Sequence, residues 1–515
     1  MKAVTEKISV VEKIGYSLGD LAANLIFQTL MAFIAFFYTD IYKIPPVTAS
    51  AIIFGGGMFG AFFNPVMGII ADRTNTRWGK FRPWVLWTAI PFGLSAILAF
   101  ATPNFSPTGK IIYALATYVF LVLVYSANNL PYSSLSGVMT GSMQQRNSIS
   151  AYRFTAAMIS QFIIQVLLLP LALIFGDGDK TVGFGKVMTM FAIIGIVFFI
   201  ITFLTTKERI VPEKDQEATV KQDLSDLSKN RPWLMMLGVI VFLFITVSLK
   251  GGMYVYYFQD FVNREKLGLF LENIGFNGFI DGLNSAFVKV GLHGFQWPED
   301  IATSGFSLFN ALATICMIIG IMFSKRLADR IGKREVFKWG IIISATFQLS
   351  FFFCAPGAVG AIFLVQILHG LFYGLTIPML WAMIADVADY SEWKNNRRAT
   401  AIIFSAMIFG LKAGLSVGGA LVAGILGWFG YAEQIVVQSD TTVLGIKLAM
   451  SVFPTITFAI SVAFLMFYSI DKKMEIQIEK ALEERRWKKK ENRIQPAPAT
   501  TNLPDANSIL TEVEI

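Results

Sequence analysis

The chain has 515 residues, of which 55% are hydrophobic and 15% are charged, and it carries a formal net charge of +8. Soluble domains contain about 25% charged residues, so a water-soluble fold of this composition would expose too much apolar surface. The composition therefore excludes a soluble enzyme or a soluble binding module, and it predicts an integral membrane protein.

Twelve apolar segments follow one another along the chain. They cover residues 16–39, 47–72, 84–103, 110–140, 147–174, 183–206, 233–261, 302–324, 336–356, 358–386, 398–426 and 445–470. A helix that crosses a bilayer needs about 20 predominantly apolar residues, and these segments reach or exceed that length. The sequence therefore predicts a multi-pass protein with twelve helical spans.

The positive charges are distributed unevenly between the connections. When the connections are numbered from the N-terminus, the even-numbered ones and both tails hold most of the 43 Lys and Arg residues. Positive side chains collect on the cytoplasmic side of a membrane, so we expect both termini in the cytoplasm. The basic charge then reflects topology, and no nucleic-acid partner is expected.

A polar, charged segment bounded by prolines divides the chain near its middle. This segment, 207–232, is interpreted as a cytoplasmic linker. It separates a predicted N-terminal six-helix bundle, 1–206, from a predicted C-terminal bundle, 233–471. The remaining residues, 472–515, form a basic cytoplasmic tail that is predicted to begin as a helix held near anionic lipid.

One connection, 263–300, is much longer than the others and is expected to lie outside the cytoplasm. Apolar residues recur there at helical spacing from Leu267 to Phe287, which predicts an amphipathic helix at the membrane face or over the entrance. Three glycines weaken this prediction and leave open a division into two short helices: Gly275, Gly278 and Gly282.

The two halves share a motif at equivalent positions. The loops after the second and eighth segments both read Ala-Asp-Arg, followed by Gly-Lys and a further Arg. Internal repeats are typical of transporters. An Asp that pairs with an Arg across the Gly turn would form a latch in one conformation and release it in another; the alternative is an ordinary positively charged loop. The residues of this predicted latch are Asp72, Arg73 and Arg77 in the first copy and Asp329 and Arg330 in the second.

Four charged residues lie well inside the predicted spans: Asp20, Arg153, Lys250 and Lys412. A charge at mid-membrane costs at least about 2.5–3.5 kcal/mol on insertion scales, so each is a candidate substrate-binding residue. Asp20 can pair with only one of the three bases. We therefore predict that at least two of the bases line a cavity, with snorkelling toward an interface as the alternative for Lys250.

Several segments carry longer and more specific motifs. The strongest reads Gly68-Ile-Ile-Ala-Asp-Arg-Thr-Asn-Thr-Arg-Trp-Gly-Lys-Phe-Arg-Pro-Trp84, and shorter ones are Phe37-Tyr-Thr-Asp40, Asn129-Leu-Pro-Tyr132 and Ala385-Asp-Val-Ala-Asp-Tyr-Ser-Glu-Trp-Lys394. Together they resemble the glycoside–pentoside–hexuronide:cation symporters of the major facilitator superfamily. The resemblance implies an all-α major facilitator fold, with two six-helix bundles around a central cavity, worked by alternating access. We expect a monomer in the bacterial inner membrane.

The resemblance also implies functional positions. The family's sugar-binding carboxylate in the first span falls on Asn24, and its two cation-site carboxylates in the second span fall on Gly60 and Asn64. Its shared sugar and cation carboxylate in the fourth span falls on Asn129, with a nearby hydroxyl at Ser126. Every acidic position of the family is therefore replaced here.

The basic positions of the family are retained as Arg153 and Lys412. A glycine and two neutral amides make a poor sodium site, so transport is predicted to be sodium-independent, and either proton-coupled or uncoupled. Asp20 is one candidate proton carrier, because burial raises the pKa of a carboxyl group while a nearby base lowers it. Beyond a coupling H⁺ or Na⁺, no cofactor or metal is expected.

The leading prediction is a secondary active importer of a sugar, glycoside or uronate, and the excess of buried bases favours an anionic sugar. The alternative is a transporter of lipids or other amphiphiles on the same fold, although buried amides such as Asn24 and Gln161 favour a hydroxyl-rich solute. The sequence contains no metal cluster, nucleophile triad or phosphate loop that would indicate an enzyme. His369 is interpreted as a packed side chain with a satisfied ring, in preference to a proton relay.

Overall fold

The computed structural model describes residues 8–140, 142–209, 229–291, 294–395, 400–433 and 437–494. Within these ranges the regular structure is helical, apart from one isolated bridge between Thr76 and Gly79. Most of the predicted linker and the end of the tail lie outside the described ranges.

Twelve helical spans, numbered 1 to 12, account for most of the described chain. In the N-terminal half they are Val10–Phe36, Pro46–Arg73, Arg82–Ala99, Pro107–Met139, Met143–Phe162 continued by Leu168–Phe175, and Lys180–Thr205. In the C-terminal half they are Arg231–Tyr256, Ile301–Ile331, Lys333–Ser350, Val359–Asn395, Thr400–Trp428, and Asp440–Met450 continued by Val452–Met466. Eleven of the spans are long and apolar enough to cross a membrane. The remaining one, span 3, has 18 residues, which gives a length of about 27 Å.

Short π-helical turns extend two of the spans at equivalent places in the two halves. Span 1 continues as Phe37–Ile41, and span 7 continues as Tyr257–Phe261. A third π-helical turn, Ile163–Leu167, joins the two pieces of span 5. Such turns are uncommon and often occur at functional sites. The first two carry an aspartate each, Asp40 and Asp260.

Spans 2 and 11 make the closest contact between the two halves. A Cβ atom added to Gly57 would lie 2.2 Å from Oγ of Ser416, and one added to Gly427 would lie 2.8 Å from Cγ2 of Val47. Small residues of this kind let two helices approach closely inside a membrane. The contact therefore depends on glycine at both positions, and it holds span 11 against the N-terminal half.

The molecule has two faces, which we name by what they carry. The insertion face is the one from which residues 263–300 project. The terminal face, opposite, carries the beginning of span 1 at Val10 and the helix that starts at Lys472. The structure divides the insertion into two helices, Arg264–Asn273 and Phe276–Lys289, at Gly275, whose φ of +75° is in the left-handed region that favours glycine.

The two halves are joined at the insertion face. Three contacts hold this face closed: Tyr431 with Asp40 at 2.5 Å, Thr39 with Tyr256 at 2.7 Å, and Lys43 with Glu433 at 3.2 Å. Burial raises the pKa of Tyr431, so its hydroxyl stays protonated and donates to the carboxylate. The two halves are therefore in direct contact at the insertion face.

Candidate functional site

Arg153 of span 5 is neutralised by its own half of the molecule. Its guanidinium lies 3.3 Å from the carboxylate of Asp20 in span 1. It also lies over two aromatic rings of the same half, 5.7 Å from the centroid of Tyr16 and 5.2 Å from that of Tyr132. The carboxylate and the electron-rich ring faces both compensate the positive charge. Arg153 and Asp20 are thus brought together as a pair.

The two rings beneath Arg153 are fixed by reciprocal hydrogen bonds. The Tyr16 hydroxyl donates to the carbonyl oxygen of Tyr132 at 2.7 Å, and the Tyr132 hydroxyl donates to the carbonyl oxygen of Tyr16 at 2.6 Å. The rings stack with centroids 4.6 Å apart. These contacts connect spans 1 and 4, and they fix the two rings over which the Arg153 guanidinium lies.

Lys412 of span 11 reaches across to the N-terminal half. Its ammonium donates to Oδ1 of Asn64 in span 2 at 2.7 Å and to Oγ of Ser126 in span 4 at 3.3 Å. It also lies 5.2 Å from the centroid of Tyr125. These partners are neutral, and no carboxylate among the described residues contacts Lys412. Because Asn64 and Ser126 are positions onto which the resemblance places the cation site, the Lys412 ammonium lies where a cation is expected.

Gly60, the other cation-site position of span 2, has no room for a side chain. A Cβ atom there would lie 1.9 Å from Cγ1 of Val122 in span 4. One turn earlier, a Cβ atom at Gly56 would lie 2.4 Å from the ring of Tyr118. The glycines thus allow spans 2 and 4 to pack closely. A carboxylate at position 60 is incompatible with this packing unless Val122 moves.

Lys250 of span 7 lies in the C-terminal half, apart from the other bases. Its ammonium is hydrogen-bonded to Nε2 of His369 in span 10 and lies 5.0 Å from the centroid of Tyr373. The other ring nitrogen, Nδ1 of His369, lies 3.0 Å from the carbonyl oxygen of Ser344 in span 9. A carbonyl oxygen can only accept, so Nδ1 carries the hydrogen and Nε2 accepts from the ammonium. No carboxylate in the described ranges contacts Lys250.

Each lysine lines a cavity, and the two cavities differ in polarity. The cavity at Lys250 has apolar walls that include Met31 and Met317, and it also carries amides and hydroxyls from spans 5, 7, 8 and 10: Gln161, Gln165, Tyr254, Asn310, Thr314 and Gln366. The cavity at Lys412 is lined mainly by apolar side chains: Phe27, Leu30, Ile34, Val122 and Leu415. Met31 of span 1 lines both cavities, so they adjoin each other.

The asparagines of spans 1 and 4 have different surroundings. Asn24 donates to the carbonyl oxygen of Asp20 at 2.8 Å, within its own helix. Asn129 is partly exposed, and it makes no hydrogen bond with another described residue. Its neighbour Asn128 is fully buried and donates to the Thr88 hydroxyl of span 3 at 2.8 Å. Of the adjacent pair in span 4, Asn128 therefore links two helices.

The first predicted latch loop is closed by a residue that the sequence analysis missed. The carboxylate of Glu208 accepts hydrogen bonds of 2.7–2.8 Å from three consecutive backbone amides, those of Lys80, Phe81 and Arg82. These amides open span 3, where a negative charge is favoured. Arg73 and Arg77 are exposed, and the side chain of Asp72 lies outside the described part of the structure.

The second latch loop is held by lysines. Lys472 donates to the carbonyl oxygens of Asp329 and Arg330, at 2.7 and 3.3 Å, while both of their side chains are exposed. Lys333, which follows the Gly turn, pairs with Asp386 of span 10 and with Glu475 of the tail helix, each at 2.7 Å. In this conformation the side chains that hold each loop therefore come from the same half as the loop.

Sequence reasoning located the buried charges but missed most of their partners. The polar cavity depends on Gln165, Asn310 and Gln366, which are single amides in apolar runs. An inventory of all amides inside the spans would have found them, because a polar group in a membrane helix is costly unless it has a partner or a function. Glu208 could not be recognised from the sequence as the residue that holds the first latch loop, because it lies in a polar segment at the end of span 6.

The chain matches the model of a family described as MFS/sugar transport protein over residues 15–289 and 300–472. It is 33% identical over 459 residues to the inner membrane symporter YicJ of Escherichia coli (strain K12), which covers 89% of this chain and 91% of that protein. It is 28% identical over 478 residues to the glucuronide carrier protein homolog of the same organism, with 90% and 94% covered.

Solved structures support the same fold. The crystal structure of the nucleoside transporter NupG aligns with a TM-score of 0.53 over 90% of this chain and all of that chain, at 12% sequence identity. An identity this low shows the fold alone. The family match, by contrast, extends from the start of span 1 to the end of span 12 and confirms the resemblance found in the motifs. The protein therefore belongs to the MFS/sugar transport protein family, whose members are membrane transporters and not enzymes.

Proposed function

We propose that the protein is a secondary active transporter that imports an anionic sugar, such as a hexuronate or an unsaturated uronide, by alternating access and without sodium. The names of two relatives, a symporter and a glucuronide carrier homolog, support secondary active transport of a sugar derivative. The observation that carries the proposal is the state of Lys250. It is a basic side chain that is only 8% exposed, has no carboxylate partner among the described residues and lines a cavity with several amides.

A substrate carboxylate would supply the charge that Lys250 lacks. Arg153 is less suited to this role, because Asp20 and two tyrosine rings already compensate it. The amides that line the Lys250 cavity offer both donors and acceptors for the hydroxyl groups of a sugar. The cavity thus combines one positive charge with neutral polar groups, which suits a uronate better than a neutral sugar.

Sodium independence is supported by the Lys412 ammonium. It binds two of the cation-site positions, Asn64 and Ser126, and Gly60 offers no side chain. A sodium ion brought to this place would meet an existing positive charge and only neutral oxygen atoms. We therefore propose that Lys412 acts as a resident cation, and that transport is coupled to protons or is uncoupled.

Uptake of paired sugars tests the choice of cargo. Purified protein in proteoliposomes should take up a hexuronate in preference to the neutral hexose of the same stereochemistry. A charge-assisted hydrogen bond contributes about 1.5–3 kcal/mol, so the expected preference is roughly 10- to 150-fold in kcat/KM. Preference for the neutral sugar would contradict the proposal of an anionic cargo.

Imposed gradients test the coupling ion. Uronate uptake should be the same with and without an inward sodium gradient, and the comparison with an inward pH gradient distinguishes proton coupling from uncoupled transport. Strong stimulation by sodium alone would show that Lys412 does not replace the ion. The neutral hexose, measured in parallel, controls for leakage of the vesicles.

We also propose that the terminal face is cytoplasmic and the insertion face is periplasmic, as the distribution of Lys and Arg predicts. Glu272, exposed on the first insertion helix, provides a labelling site. In a background without Cys316 and Cys354, Glu272→Cys should react with an impermeant thiol reagent in intact cells, and a cysteine at position 218 should not. The reverse pattern would overturn this orientation.

One observation favours a second candidate, a transporter of anionic amphiphiles. The wall of the Lys412 cavity is largely apolar, and it adjoins the polar cavity at Met31. A substrate with a uronate head and an apolar group would fill both. If the octyl or phenyl glucuronide is taken up more efficiently than free glucuronate, the second candidate is supported, and if both glycosides are excluded it is rejected.

A further inference from the structure

Lys250 and His369 place two nitrogen bases in direct contact inside the C-terminal half. The ammonium of Lys250 donates to Nε2 of His369, and Nδ1–H of His369 donates to the carbonyl oxygen of Ser344. The imidazole ring is also stacked on Tyr373, with centroids 5.9 Å apart. His369 is 1% exposed. The pair is thus held from spans 7, 9 and 10, with one positive charge on two bases.

The groups that face this pair are neutral. Tyr254 and Tyr373 are the titratable residues that line the cavity with it, and spans 5 and 8 contribute only amides, a hydroxyl and apolar groups. Span 12 contributes the ring of Phe458. The charged group of span 11, Lys412, lines the adjoining cavity. Asp386, on the same helix as His369, lies 17 residues further on, a rise of about 25 Å.

A second proton cannot bind to this pair without an anion. It would bind at Nε2 of His369, which would then lose its role as acceptor, and two cations would be in contact in a medium of low dielectric. A carboxylate placed against both groups reverses the sign of this interaction. It would accept one hydrogen bond from Nζ of Lys250 and one from the new Nε2–H of His369.

We propose that Lys250 and His369 form a joint site for one proton and one substrate carboxylate, which bind together. The proposal rests on the proposed function and adds the means of coupling to it. One proton enters at Nε2 of His369, one carboxylate enters beside it, and the net charge of the site stays at +1. By linkage, each ligand raises the affinity for the other by the same factor. An electroneutral symport of a uronate with a proton follows.

A buried acceptor in the same cavity supports a ligand with hydroxyl groups. Gln366 donates through its amide to the Tyr254 hydroxyl at 3.2 Å, but its Oε1 is buried and has no hydrogen-bond partner among the described residues. A buried acceptor without a hydrogen bond is unfavourable. A sugar hydroxyl close to the carboxylate would satisfy it, and Gln366 is on the same helix as His369, one turn before it.

Proton counting on the intact protein tests the proposal without any mutation. Calorimetric titrations of the purified wild type with a uronate, in buffers of different ionisation enthalpy, should give about one proton taken up per uronate bound. The matching neutral sugar should give none. Binding of the uronate without proton uptake would overturn the joint site and leave the anionic cargo intact. Failure to bind the uronate at all would overturn the proposed function instead.

A substitution then locates the proton. His369→Asn keeps a donor for the carbonyl oxygen of Ser344 but cannot bind a proton. For the wild type, an inward gradient of one pH unit should raise accumulation of the uronate about tenfold. For His369→Asn the gradient should have no effect, and proton uptake on binding should be lost. The matched control is Leu364→Ala, on the same helix but 56% exposed, which should behave as the wild type.

The rival location is Asp20. If His369→Asn remains coupled, and a double variant with Asp20→Asn and Arg153→Gln loses coupling while it still exchanges the uronate, the proton is carried by Asp20 and the joint site is wrong. If His369→Asn is poorly folded, Lys250→Gln provides the second variant. It should bind the uronate at least tenfold more weakly and lose the proton uptake. Proton uptake that survives in Lys250→Gln would contradict the joint site.

Discussion

Arg153 and Lys250 each place one positive charge in the transmembrane part of the protein, but they differ in how that charge is compensated. Arg153 has a carboxylate at 3.3 Å and two tyrosine rings. Lys250 has a histidine, a tyrosine ring and a polar cavity. A buried base with its own carboxylate is part of the scaffold. A buried base without one is open to a ligand that brings the opposite charge.

The largest effect is expected when the pair of Asp20 and Arg153 is broken. Asp20→Asn leaves the Arg153 guanidinium without its partner. We expect a loss of about 3 kcal/mol in the free energy of unfolding, at the lower end for a broken buried pair because a quarter of the Arg153 side chain is exposed. Thermal unfolding in detergent measures it. Lys412→Met is the contrast, because it removes a base that has no carboxylate, and it should not lower stability by a comparable amount.

The second prediction concerns Lys250. Lys250→Met should weaken uronate binding roughly 10- to 150-fold, which corresponds to the loss of a charge-assisted hydrogen bond of about 1.5–3 kcal/mol. Binding of the matching neutral sugar should change little. Titration of both sugars measures the difference. An equal loss for both sugars would mean that Lys250 supports the shape of the cavity and does not select the charge of the cargo.

The third prediction is that two substitutions convert the Lys412 cavity into a sodium site. Asn64→Asp combined with Lys412→Met removes the resident ammonium and supplies a carboxylate at the same place, since Asn64 Oδ1 lies 2.7 Å from the ammonium. Sodium should then stimulate uptake several-fold, whereas Asn64→Asp alone should remain unaffected by sodium because the new carboxylate pairs with Lys412. Uptake at fixed uronate and varied sodium decides between these outcomes.

The smallest expected effect concerns Ser126. Ser126→Ala removes the weaker hydrogen bond to Lys412, at 3.3 Å, and should lower the free energy of unfolding by about 0.5–1.5 kcal/mol. Ser134→Ala is a matched control, because Ser134 is on the same helix, donates to the carbonyl of Leu130 and is exposed. A loss as large for the control would show that the hydroxyl acts through its own helix and not through Lys412.

The sequence predicted the spans and the buried charges well because both are local properties. An apolar run of 20 residues is read directly, and Asp20, Arg153, Lys250 and Lys412 are conspicuous within such runs. The fold class followed from the motifs, and the family match confirmed it. The pairing of the bases could not be predicted, because it depends on which helix faces lie opposite each other. Nothing local to Asp20 indicates that Arg153, 133 residues away, is its partner.

The prediction for His369 illustrates the same limit. As one histidine on an apolar helix, it was interpreted as a packed side chain. Both of its ring nitrogens are indeed engaged, which is the packed arrangement, but one partner is the Lys250 ammonium. A neighbour from another span thus changes the role that His369 can have. Periodicity and composition describe one helix at a time, and they contain no information about such neighbours.

The polar contacts at the terminal face lie within each half of the molecule, so the chain could be divided between the halves. Glu208 and the pair of Arg209 with Glu12, at 2.7 Å, hold the end of span 6 against spans 3 and 1. Lys333 and its two acidic partners do the same for spans 9 and 10 and the tail helix. A cut between 210 and 228 separates none of these contacts. Two separately synthesised fragments would each retain their own contacts at this face. They could associate through spans 2 and 11 without a peptide bond between them.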